Sequence, residues 1–169
     1  MKQSIKNLTH AAIIAALYVV LTHLQNFLLP GTTSAAIQFR LSEALCVFAL
    51  FTPSAIWGLS IGCFIYNISY FGALPLDFFI GTAATALATM AMYQFRNLKV
   101  LKLPVLSLAM PAVFNALLVG WELSVYIGGS FLLNAAYVAI GEAAVLFTLG
   151  IALYALLSNR RLNSLLFGR

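Results

Sequence analysis

Four carboxylates are all this sequence contains, Glu43, Asp77, Glu122 and Glu142, and each lies inside or at the rim of a long apolar stretch. Placing a charge in hydrocarbon costs ~2.5–3.5 kcal/mol on insertion scales, so these acids must face a protein interior or a watery cavity. Arg40 is the one cation that shares those stretches. The amides Asn67, Asn115 and Asn134 accompany them. Several carboxylates with a single guanidinium make a site that accepts hydrogen bonds and welcomes positive charge. A planar, donor-rich solute suits it. A guanine-like edge offers N–H groups to a carboxylate and a carbonyl to an arginine or amide. The aromatic residues Phe39, Tyr70, Phe71 and Trp121 are candidates to stack on such a ring.

Other chemistries find little support. The sequence has no HExxH, Walker loop or GxSxG, and His10 and His23 are too far apart on one helix to form a ligand pair. Cys46 and Cys63 lack a CxxC or metal spacing and read as small core residues. No catalytic residue, metal or cofactor is expected. If transport is active, its energy must come from a partner or an ion gradient.

The elements that carry these residues follow from composition. The chain is 63% hydrophobic and 8% charged over 169 residues, whereas a soluble domain is about a quarter charged. One globular core cannot hide that much apolar surface, so lipid must be the solvent. The predicted fold is all-α, a polytopic membrane protein of about six transmembrane helices in a single domain. Breakers and polar residues place the spans at about 8–29, 35–51, 54–70, 76–95, 104–126 and 131–157. The first has a basic start but runs into Leu29-Pro30-Gly31 without a small-x-small cleavage site, and is expected to be a retained helix rather than a signal peptide. The second is short and carries Arg40 and Glu43, so a re-entrant segment is its alternative.

Six spans put Lys2 and Lys6, then Arg96, Lys99 and Lys102, then Arg160, Arg161 and Arg169 on one side of the membrane. That side is cytoplasmic by the positive-inside rule, with both termini inside. The net charge of +5 is thereby explained by topology and not by nucleic acid.

Within this frame most polar groups occupy the outer half. Arg40 and Glu43, three residues apart, are expected on one helix face, either neutralising each other or each meeting a ligand. Asn67, Asp77, Glu122 and Asn134 fall near outer ends, and Asn115 lies deeper. Glu142 sits about 18 Å into the sixth span, with no cation in helical reach. The candidate binding set is Arg40, Glu43, Asn67, Asp77, Asn115, Glu122 and Glu142. The first helix also carries Ala11, Ala12, Ala15 and Ala16, two overlapping small-x-x-x-small pairs that let another helix approach closely.

Several runs resemble the QueT family: Phe39-Arg40-Leu41-Ser42-Glu43-Ala44-Leu45, Gly58-Leu59-Ser60-Ile61-Gly62-Cys63 ending at Asn67, and Asp77 followed by Gly81-Thr82. Asn115-Ala116-Leu117 leading to Glu122-Leu123, and Gly141-Glu142, resemble it too. The similarity runs in order from about Ala11 to Gly150. The resemblance implies a six-helix S component, the substrate-capturing subunit of an energy-coupling factor (ECF) transporter, in a bacterial plasma membrane. It implies a T-type transmembrane component and two ATPase subunits as partners, with the alanines of the first helix meeting the T component. The implied substrate is a queuosine precursor, a 7-deazaguanine or queuine compound, captured from outside. An S component for another vitamin-like heterocycle, or a self-contained proton-coupled carrier using Glu142, are the alternatives.

Overall fold

Helices account for the secondary structure throughout the computed structural model, which describes residues 2–33, 37–71 and 74–167. Ala35, where the second span is expected to begin, Gly72 in the turn after the third, and Arg169 of the last basic cluster lie outside the described residues. Helix α1 covers Lys2–Leu28 and stops short of Pro30. A ten-residue 3-10 helix, Leu41–Leu50, follows. Then come α2 Ser54–Ser69, α3 Asp77–Phe95, α4 Val105–Tyr126 and α5 Phe131–Val145. Helix α5 passes through a π turn, Leu146–Gly150, directly into α6 Ile151–Leu157, and a short helix α7 covers Arg160–Phe167. Prolines mark two of the starts: Pro53 precedes α2 and Pro104 precedes α4, where a missing N–H costs nothing.

Among the described residues, four helical stretches are long and apolar enough to cross a membrane: Gln3–Leu28, Asp77–Phe95, Val105–Tyr126 and Phe131–Leu157. The 3-10 helix and α2 are apolar but shorter. Consecutive long helices pack side by side, α1 on α2, α2 on α3, α3 on α4 and α4 on α5. The 3-10 helix touches all of these, together with the π turn and α6. It is therefore the central strut of the bundle and not a member of its rim. That position explains how a segment with two charges and little length is tolerated. Most of it meets protein, and ten residues at the 3-10 rise of ≈ 2.0 Å still reach about 20 Å. Its residues Ser42, Glu43, Ala44, Cys46, Val47, Ala49 and Leu50 are buried.

The closest helix contact is between α1 and α2. A Cβ on Gly58 would stand 2.6 Å from the Ala11 carbonyl oxygen, and one on Gly62 would stand 3.0 Å from that of Ala15. Only glycine permits this approach. Ala11 and Ala15 are thus taken up inside the chain, while Ala12 and Ala16, roughly 100° round the helix from them, are exposed. The four alanines do not form one surface.

The two ends of the bundle differ. At one end Gln3, Lys6 and Asn7 of α1 meet Thr52-Pro53 and α7, so the start of α1 and the last helix lie on the same face. At the other end Thr33, Asp77 and Ile127 converge.

Candidate functional site

The site is assembled around the approach to the 3-10 helix. Residues 37–40 run across α5 at Gly141, where any Cβ would collide with the Gln38 backbone. Gln25, buried near the end of α1, fixes this strap with both halves of its amide. Its oxygen accepts the Leu41 N–H at 2.8 Å, and its nitrogen donates to Thr32 Oγ1 at 3.0 Å and to the Phe39 carbonyl. The Phe39 N–H closes the loop by donating to the Thr32 carbonyl at 2.8 Å. Beside it, Asn26 donates to the Tyr66 hydroxyl and accepts from Thr33.

This scaffold sets Arg40 apart from Glu43. Arg40 stands just before the 3-10 helix in extended conformation, φ −95° and ψ 99°, so the two do not share a helix face as the i, i+3 spacing suggested. They also find different partners. Glu43 accepts the Tyr18 hydroxyl at 2.7 Å on one oxygen and the Cys46 thiol at 3.2 Å on the other. Arg40 donates one long bond, 3.4 Å, to the Thr33 carbonyl and lies 5.9 Å from the centre of the Tyr66 ring. Its Nε is buried and has no partner among the described residues.

Arg40 lines a cavity of about 170 Å³ with Asp77 of α3 and Glu122 of α4. Thr33 and Gln38 add polar groups, and Leu74, Val119, Leu123 and Ile127 form apolar walls. Both carboxylate oxygens of Glu122 are buried and have no partner among the described residues. A cavity of ~150 Å³ holds a benzene ring, so this one is on the scale of a flat ring system. Its chemistry combines a guanidinium donor, two acids and aliphatic faces.

The remaining candidates lie elsewhere. Asn67 donates to the Asp77 carbonyl at 3.0 Å and so ties α2 to the start of α3, leaving its own oxygen buried without a partner. Glu142 is buried outside the cavity lining, with Asn115 beside it and no partner for Oε2 among the described residues. Asn134 donates to the Gly128 carbonyl in the turn before α5 and is half-buried. None of the four expected stacking aromatics lines the cavity. Tyr70 stacks on Tyr66 at 5.5 Å, and Phe39, Phe71 and Trp121 are exposed. The reason for Trp121 is helical: its neighbour Glu122 faces inward, so it points about 100° away.

A model described as the QueT transporter matches residues 8–159. The chain belongs to this family. The match runs from within α1 to just past the end of α6, and with it come the cavity, the strap and the Glu43 cluster. For a QueT family member the role is transport, and the apolar helices agree with a membrane setting. Neither the curated proteins nor the solved structures include a match to the chain.

Six residues that shape the site escaped the sequence reading: Tyr18, Gln25, Asn26, Thr33, Gln38 and Tyr66. One signal for them was present. Gln25 and Asn26 are adjacent amides near the end of an otherwise apolar helix, where polar side chains need protein partners.

Proposed function

We propose that this chain is the substrate-capturing S component of an ECF-type importer, taking a queuosine precursor of the 7-deazaguanine or queuine type from outside. In this reading the chain is one transmembrane domain crossing the membrane six times, with both termini cytoplasmic and the cavity open to the exterior. The observation that carries it is the unspent polar capacity at the cavity, where Arg40 Nε and both Glu122 oxygens are buried without partners. Desolvated groups of both signs are costly to leave idle, and a heterocycle with a carbonyl beside N–H donors would satisfy them together. Glu122 would take the guanine-type edge, Arg40 the carbonyl, and Asp77 a cationic 7-substituent. The partners are a T-type transmembrane component and two ATPase subunits. Ala12 and Ala16, exposed between Leu8 and Val20 on α1, are the part of the alanine pattern open to the T component.

Calorimetric competition on the purified chain tests the reading. Guanine, the deazaguanine nitrile, the aminomethyl compound, queuine and riboflavin form the series. The aminomethyl compound should bind ~10–100-fold more tightly than the nitrile, the value of one charge-assisted hydrogen bond. Tighter binding of the nitrile removes the charge argument, and preference for riboflavin removes the substrate class.

Glu142 supports a second reading, a proton-coupled carrier, because it is a buried acid with a free oxygen outside the cavity lining. Liposomes holding the chain alone distinguish the two. An S component gives no concentrative uptake, whereas a carrier responds to a pH gradient.

A further inference from the structure

The bundle face that carries the chain ends holds a cleft distinct from the substrate cavity. We propose that this cleft, between α1 and α7, binds one anionic phospholipid from the adjacent leaflet. Its polar chamber, about 470 Å³, is lined by Gln3, Lys6, Asn7 and His10 of α1 and by Ser164 of α7. These are donors or neutral groups. Among the described residues, no acidic side chain lines the chamber.

The chamber continues into an apolar groove of about 290 Å³, sharing His10 and the side chains Leu165, Leu166 and Phe167. Ile13 and Leu17 carry that groove further along α1. From Lys6 to Leu17 the helix rises about 16 Å, close to the ~15 Å hydrocarbon depth of one leaflet. A head chamber leading into a slot one leaflet deep has the shape and polarity of a phospholipid. A soluble phosphate would use the chamber and leave the groove unexplained.

Helix α7 strengthens the assignment. It presents Arg160 and Arg161 beside exposed Leu165 and Leu166, the composition of a helix lying in a membrane interface. Phe167 anchors it by stacking on Phe51 at 5.6 Å, which holds the groove wall against the foot of the 3-10 helix.

Native mass spectrometry on the delipidated full-length protein, titrated with phosphatidylglycerol or phosphatidylcholine of the same chains, tests the proposal. Phosphatidylglycerol should bind at least about fivefold more tightly, and Lys6→Gln should remove about fivefold of that preference, the scale of one basic residue at an anionic surface. Leu165→Ser with Leu166→Ser should weaken both lipids. Lys6 and both leucines are exposed, so these variants retain the fold, which circular dichroism checks. Equal binding of the two lipids overturns the headgroup assignment. Displacement of phosphatidylglycerol by equimolar glycerol phosphate, unaffected by the leucine changes, overturns the lipid in favour of a soluble anion.

Discussion

Replacing Glu122 with glutamine tests the site through the sign of two separate measurements. Glu122 is fully buried, and neither carboxylate oxygen has a partner. An unsatisfied buried polar group costs ~1–3 kcal/mol, more when charged. Glutamine keeps the volume and removes the charge, so the ligand-free protein should be at least as stable, by up to ~1 kcal/mol at the cautious end of that range. Ligand binding should move the other way. A deazaguanine edge that donates to the carboxylate loses a charge-assisted bond worth ~1.5–3 kcal/mol, or ~10–100-fold in affinity. Glu43→Gln is the control, because Glu43 is already satisfied by Tyr18 and Cys46. It should lower stability by ~1.5–3 kcal/mol through loss of bonds to a charged acceptor. Thermal unfolding in nanodiscs and calorimetry with the aminomethyl compound read both quantities on each variant. If Glu122→Gln is less stable without ligand and binds normally, the carboxylate is structural and the cavity reading is refuted.

Three further outcomes follow from packing. Gly141→Ala should displace the strap at Gln38, cost ~1–3 kcal/mol as overpacking does, and weaken ligand binding without touching a polar group; unchanged affinity would detach the strap from the site. Gln25→Leu should release the Leu41, Thr32 and Phe39 backbone and side-chain contacts, and proteolysis between residues 29 and 40 should accelerate while α1 stays intact. Enlarging Ala11 and Ala15 to leucine should unfold the α1–α2 pair, whereas Ala12→Leu with Ala16→Leu should leave folding and solute binding unchanged and reduce co-purification with the T component; a normal complex would place that interface elsewhere.

Apolar runs and breakers made the long helices legible, because Pro30, Pro53, Pro104 and Gly128-Gly129 each stand at or beside an observed helix end. What the second expected span does was not legible. Its short length and two charges allowed a crossing helix or a re-entrant one, and neither periodicity nor hydropathy announces a 3-10 helix. The observed form depends on its surroundings, since a ten-residue 3-10 run is longer than such helices usually persist and here is enclosed by the rest of the bundle. The alanine pattern failed for a related reason. Small residues on α1 mark close approach, but sequence does not say which side faces Gly58 and Gly62.

For the site, the intramembrane acids draw notice because desolvation leaves each with a short list of tolerable environments. The structure sorts them by how that cost is met. Glu43 is met internally, by a hydroxyl and a thiol from two directions. Asp77 is half-buried at a helix start and its carbonyl is held by Asn67. Glu122 and Arg40 are brought to one cavity by α4 and the strap, yet each keeps buried atoms unpaired. Two opposite charges lining one small cavity would ordinarily gain by pairing. Gln25, Asn26 and Gly141 instead hold the strap where it is. In the proposed reading, this scaffold keeps donor and acceptor apart, and the cost is recovered when a solute with complementary groups enters between them.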